Sequence, residues 1–169
     1  MSDGAGRGHV PQRDPAAVEV RVAAELENLA LLRTLVGAVG TYFDLDFDAV
    51  ADLRLAVDEA CTRLIRAATP DATLTVLVDP RVDAVVVEVS TTCATDDIVA
   101  EGSFSWHVLS SLTDDVRMFH NGSQAGSQAG SQAGSQAGSQ DGLPADHLLG
   151  SDGRVVGISL TTRRAGTSR

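Results

Sequence analysis

The sequence predicts an α/β (α+β) two-layer sandwich, with one mixed, mostly antiparallel sheet and helices on one face. Three observations predict it. The first is the stretch DAVADLRLAVDEACTRLIRAA (48–68). Its residues Val50, Leu53, Val57, Cys61, Leu64 and Ala68 recur at spacings of three and four, forming one narrow apolar stripe for burial against a sheet. The second is a pair of apolar runs at 74–78 and 84–89, joined by the turn Asp79-Pro80-Arg81-Val82-Asp83. So short a link makes an antiparallel hairpin and leaves no room for a crossover helix, which denies a doubly wound parallel fold. The third is the order: strand, helix, helix, two strands, helix, two strands.

Each element has its own local reason. Residues 1–16, with Gly4, Gly6, Gly8, Pro11 and Pro15, read as a flexible lead-in. Val18, Val20 and Val22 alternate with Glu19 and Arg21, as in a half-buried strand. From about 27 to 43, Leu29, Leu32, Val36, Val39 and Phe43 share a helical stripe. Arg33 lies at its edge, with its stem packed and its guanidinium expected to stay free. Asp44 to Asp48 form a short acidic junction, and Asp46 or Asp48 is placed to cap the long helix and to meet its dipole. Pro70 and Asp71 stop that helix. Leu74, Val76 and Val78 alternate as a second strand. The nearly unbroken run 84–89 reads as a third, central strand covered on both sides. Residues 90–102 are polar and irregular. A short helix is expected at 103–113, its stripe being Phe104, Val108 and Leu112, and further strands at 116–120 and 155–162.

Between those last strands Gly-Ser-Gln-Ala repeats from Gly122, Gly126, Gly130 and Gly134, ending as Gly138-Ser139-Gln140-Asp141. The repeat has no apolar face, so 121–153 reads as an inserted flexible loop. Residues 17–165 then form a single domain, as the chain length of 169 residues and a hydrophobic content of 43% allow. No apolar run approaches the ~20 residues of a membrane span, and no charged-then-apolar leader opens the sequence; the expectation is a cytoplasmic protein. The net charge of −10 argues against nucleic acid as a direct ligand, which demands clustered Lys and Arg. It suits either simple solubility or a partner with a basic face. Cys61 and Cys93 lack metal or disulfide-framework spacing, and Cys61, on the apolar stripe, reads as a buried thiol. His9, His107, His120 and His147 form no ligand spacing, so no metal site is expected.

The polar face of the long helix carries Asp52, Glu59, Arg63 and Arg66. Glu59 and Arg63 in DEACTR (58–63) stand at i and i+4; the plain reading is an exposed ion pair contributing about 0.3–0.5 kcal/mol. A Glu followed four residues later by Asn, on the helix leading into such a hairpin, is the first nucleotide box of the Bergerat (GHKL) fold. LRLAVDEACTRLI (53–65) resembles that box as it occurs in the anti-sigma factor serine kinases. NLALLRTLVGAV (28–39) and DLDFDAVADL (44–53) look like the same family. The resemblance runs from about Val18 to Val116 and resumes at Val155 to Thr162.

It implies a histidine-kinase-like ATPase fold, with Glu59 as general base and ATP as ligand. It also implies a sigma factor and an anti-anti-sigma factor as partners, and a homodimer. Arg33 matches an exposed arginine that grips partners in the family. Candidate nucleotide contacts are Glu59, Arg63, Thr91, Thr92, Gly102, Ser103 and Phe104. The departures are specific. Where the family has an Mg²⁺-ligating Asn, this chain has Arg63, which offers donors but no acceptor and cannot ligate a metal. It would contact a phosphate directly or pair with Glu59. The second box, Asp-x-Gly-x-Gly, is replaced by STTCAT (90–95). The third survives as Gly102-Ser103-Phe104-Ser105-Trp106, a helix N-terminus suited to phosphate, although core packing is the plain role for Phe104 and Trp106. The resemblance with its departures implies an anti-sigma factor that sequesters a stress-response sigma factor of the sigma-F type and is released by its anti-anti-sigma partner. An active serine/threonine kinase is the alternative.

Overall fold

The computed structural model describes residues 14–95, 98–121 and 153–166. Most of the lead-in and of the repeat-bearing loop therefore lies outside the described residues. Five strands form one sheet: β1 (Val18–Ala23), β2 (Thr73–Pro80), β3 (Ala84–Cys93), β4 (Asp115–Asn121) and β5 (Arg154–Arg163), in the order β1-β2-β3-β5-β4. Three helices, α1 (Leu29–Tyr42), α2 (Phe47–Ala67) and α3 (Phe104–Leu112), complete the described part, with a 3-10 turn at Leu26–Asn28 before α1. The expected two-layer α+β architecture is borne out. All four strand pairings are antiparallel, so the mixed component of the expectation is absent from this sheet.

Register assigns the faces. Val76 lies opposite Val89, Val89 opposite Ile158, and Ile158 opposite Met118. The next row is Val78, Val87, Leu160 and Val116. These rows meet Leu53, Val57, Cys61 and Leu64 of α2 in one buried cluster. Each fully buried Val or Leu contributes roughly 1.5–3 kcal/mol relative to exposure. Ala56 and Ala60 are also buried, so the stripe of α2 is wider than its large residues alone suggest, and Val50 and Ala68 sit at its edges. On the other face Phe119 covers Gly157, where a Cβ would fall 2.1 Å from the ring; no larger residue fits without moving it. β3 is central in order but is fully covered only on the helix side. Val85, Val87 and Val89 are buried, while Val86, Glu88 and Ser90 are partly exposed, which corrects the expectation of cover on both sides.

α2 is the middle helix. It touches β3 and β5 beneath it, α1 on one flank and α3 on the other. Its start is fixed by backbone chemistry. α1 ends as the Leu45 N–H reaches Gly40 O (3.1 Å) and the Asp44 N–H reaches Thr41 O (3.2 Å). This double bond pattern needs a left-handed residue between. Asp44 supplies it at φ 60, a conformation that Asp tolerates better than most residues. Asp46, rather than Asp48, then caps α2, its Oδ1 accepting the Ala49 N–H at 2.8 Å. The stripe of α3 is rotated from the expected one: Ser105 and Leu109 are buried, whereas Phe104 is 79% exposed. No described helix is long and apolar enough to cross a membrane.

Candidate functional site

The middle position of α2 gives its two consecutive acids different tasks. Successive helical residues point about 100° apart. Asp58 therefore turns towards α1 and Glu59 towards α3. Asp58 Oδ1 accepts from Arg33 Nη2 at 2.5 Å. The Arg33 guanidinium is thus held against α2 and not free, which corrects the expectation for this residue. Glu59 Oε1 accepts two hydrogen bonds, from Arg63 Nε at 2.8 Å and from Ser105 Oγ at 2.7 Å.

Ser105 belongs to the first turn of α3. Ser103 caps that helix, its Oγ accepting the Trp106 N–H at 3.2 Å, and Gly102 precedes it in the left-handed region at φ 80. This local geometry points the buried Ser105 inward and leaves Phe104 outside. Sequence reasoning missed Ser105. The signal that would have found it is the helical offset: with Ser103 as cap, residues 105 and 109 share a face, and 104 does not. The same offset overturns core packing for Phe104, while Trp106, half-buried, packs against the core as expected.

Electrostatically, Glu59 is a settled anion. Burial alone would push its pKa up, but the hydrogen bonds from Arg63 and Ser105, with the charges of Arg63 and Arg66, outweigh it and hold the carboxyl below its ordinary 4.5. A base works best with a pKa near the operating pH and an open lone pair. Glu59 has its pKa moved the wrong way and Oε1 doubly occupied. Of the two expectations for Arg63, pairing with Glu59 is the one observed.

The remaining candidates do not converge on Glu59 through hydrogen bonds. Thr91 is buried on β3 and its Oγ1 donates to Thr73 O at 2.9 Å. Thr92 alternates to the opposite side of the strand, and its carbonyl accepts from the Thr69 N–H at 2.9 Å. Gly102 and Ser103 do stand beside Glu59, through Ser105. Four cavities outlined by described residues lie elsewhere, none lined by Glu59, Arg63, Thr91, Thr92 or Ser103.

Whether Mg²⁺ fits can be read from the donor set. A hard dication needs oxygen ligands; the position after one turn of helix offers only the Arg63 guanidinium, and Glu59 is neutralised by it. Among the described residues no three His, Cys, Asp or Glu side chains gather as a metal group. The residues do not fit a metal at this box. Among the described residues, the N-terminal turn of α3 with Gly102 and Ser103 stands nearest this pair as a place suited to a phosphate.

Comparison with known proteins gives two findings. A family model described as histidine kinase-like ATPase domain matches residues 22–128. Two curated relatives, both called Anti-sigma-F factor RsbW, come from Mycobacterium tuberculosis strains CDC 1551 / Oshkosh and ATCC 25618 / H37Rv. Each is 60% identical over 158 residues, covering 94% of this chain and 80% of the relative.

Proposed function

The chain belongs to the histidine kinase-like ATPase family, and from that premise we propose that it is an anti-sigma factor. It holds a stress-response sigma factor, of the sigma-F type, in a complex that cannot direct transcription. The observation that carries this reading is the 60% identity to proteins named Anti-sigma-F factor, spread over nearly the whole chain rather than confined to one motif. The acidic balance of −10 supports it physically, because a DNA-binding partner presents basic surface.

The same reading includes release by an anti-anti-sigma factor, a homodimer, a cytoplasmic setting and one anti-sigma domain over 17–165. Arg33 remains a candidate partner contact, acting as an Arg33–Asp58 pair on the α1–α2 surface. An ATPase-type domain points to nucleotide binding, with Gly102, Ser103, Phe104, Thr91 and Thr92 as candidate contacts and the Glu59–Arg63 pair beside them. The kinase alternative is disfavoured. It needs Glu59 as base and a metal at residue 63, and Glu59 is instead bonded to Arg63 and Ser105.

Light scattering on a size-exclusion column tests the proposal. Mixed with a purified stress sigma factor, the full chain is expected to elute as a stable complex in the absence of nucleotide. Separate elution of the two proteins at micromolar concentration overturns the reading.

A further inference from the structure

Four aspartates, Asp44, Asp46, Asp48 and Asp52, crowd the α1–α2 junction and the first turns of α2. Three have local explanations: Asp44 is the left-handed residue that closes α1, Asp46 caps α2, and Asp48 in the first turn meets the positive end of its dipole. Asp52 has none. It stands at i+4 from Asp48, a like-charge spacing that disfavours the helix. Among the described residues no ion pair neutralises Asp44, Asp48 or Asp52.

α3 runs back along α2, bringing its C-terminal end and the end of β5 opposite these acids. A groove of about 350 Å³ lies between, lined by Asp46, Asp48, Asp52, Asp114, Thr162 and Arg163 among others. Arg163 is the one basic residue in that lining, and it is the Arg163 backbone N–H that Asp114 Oδ2 accepts, at 2.7 Å. A second, independent observation comes from Thr162. It shares the helix-covered face of the sheet, opposite Val85, and is only 5% exposed. Its Oγ1 has no hydrogen-bond partner among the described residues. Buried hydroxyls are ordinarily satisfied, so a polar group arriving in this groove would meet an unmet need. Phe47, between Asp46 and Asp48 in sequence, is 86% exposed but turns the other way, lining a separate cavity on the α1 side with Leu45, Val50 and Arg54.

We propose that this groove forms a docking surface for a basic segment of the sigma factor, one presenting Lys or Arg. The inference rests on the anti-sigma reading and names where that partner sits. Charge complementarity selects the occupant: unpaired carboxylates and a lone buried acceptor take ammonium or guanidinium donors, and proteins that bind DNA carry such groups on their surface. A segment held here is also withheld from DNA phosphates, which gives sequestration a physical means. The surface is distinct from the Arg33–Asp58 pair on the α1 flank.

Calorimetry of the full chain with a purified sigma factor, at ~50 mM and ~500 mM salt, tests it. Asp48→Asn/Asp52→Asn should bind about tenfold more weakly than wild type at low salt, with the gap closing at high salt. Phe47→Ala, whose side chain lines the cavity on the α1 side, should bind like wild type at both. Melting temperatures of both variants should not fall by more than a degree or two, since the changed side chains are exposed. Equal binding by all three proteins overturns the docking surface and leaves the anti-sigma reading standing. A wild-type chain that binds no sigma factor overturns both.

Discussion

Replacing Ser105 by Ala removes one bond from Glu59 and nothing else of comparable size. Ser105 Oγ donates to Glu59 Oε1 at 2.7 Å, and Ser105 is nearly buried. A hydrogen bond to a charged group contributes about 1.5–3 kcal/mol. Oε1 keeps its second bond from Arg63, and the Glu59 side chain is 24% exposed, so some water replaces the hydroxyl and the lower end applies. Alanine's better helix propensity returns about 0.5 kcal/mol, leaving a net loss of about 1 kcal/mol at pH 7. The sign with pH follows from the depressed pKa of Glu59. Its charge-dependent stabilisation is fully present above the ordinary 4.5 and is lost as pH falls through the lower, folded value. Urea denaturation of Ser105→Ala and wild type at neutral pH and at about pH 3 should therefore show a gap that shrinks on acidification. Glu59 should also titrate at a higher pH in the variant when followed by carbon NMR. An unchanged midpoint at pH 7, or a gap indifferent to pH, would refute the claim that the bond to an ionised Glu59 matters.

Three further outcomes follow from the same geometry. Arg63→Asn frees Oε1 of one donor and supplies an amide oxygen, so nucleotide binding measured by calorimetry should become Mg²⁺-dependent in the variant and be indifferent to Mg²⁺ in wild type. Leu64→Ala, at a fully buried position against the sheet, should cost about 2–5 kcal/mol by chemical denaturation, whereas Leu55→Ala, 57% exposed, should stay within about 0.5 kcal/mol. Cys61 should resist thiol reagents at pH 8 in the native protein and react only on unfolding, because burial first, with the nearby Asp58 charge, pushes its thiol up to about 12.

The fold was legible where periodicity and turn chemistry agree. The alternation at 74–78 and the nearly unbroken apolar run at 84–89, with a short turn between, gave the central hairpin, and the three–four spacing at 53–64 gave the face that α2 buries. The family resemblance, read from the 28–65 stretch, is borne out by the match over 22–128 and by the relatives. What the sequence hid was rotation and partnership. The stripe at 104, 108 and 112 is the more apolar on paper, since the one at 105, 109 and 112 begins with a serine; only Ser103 acting as the cap fixes the phase and sends Phe104 outward. Arg33 looked unpaired because its partner, Asp58, lies twenty-five positions away on another helix. Glu59 and Arg63 could be paired from spacing alone, but the third member, Ser105, comes from across a long irregular stretch. The apolar run of β3 suggested two covered faces because valine suits a half-exposed pleat as well as a buried one.

The central claim is sequestration on an ATPase fold whose base and metal positions are spent on each other. Its most direct test is sigma-dependent transcription in a purified system, titrated with this chain and supplied with either hydrolysable ATP or a non-hydrolysable analogue for its own use. The account predicts inhibition that rises in proportion to added protein and is the same with both nucleotides. No inhibition, or inhibition that appears only where the γ-phosphate can be transferred, would contradict it.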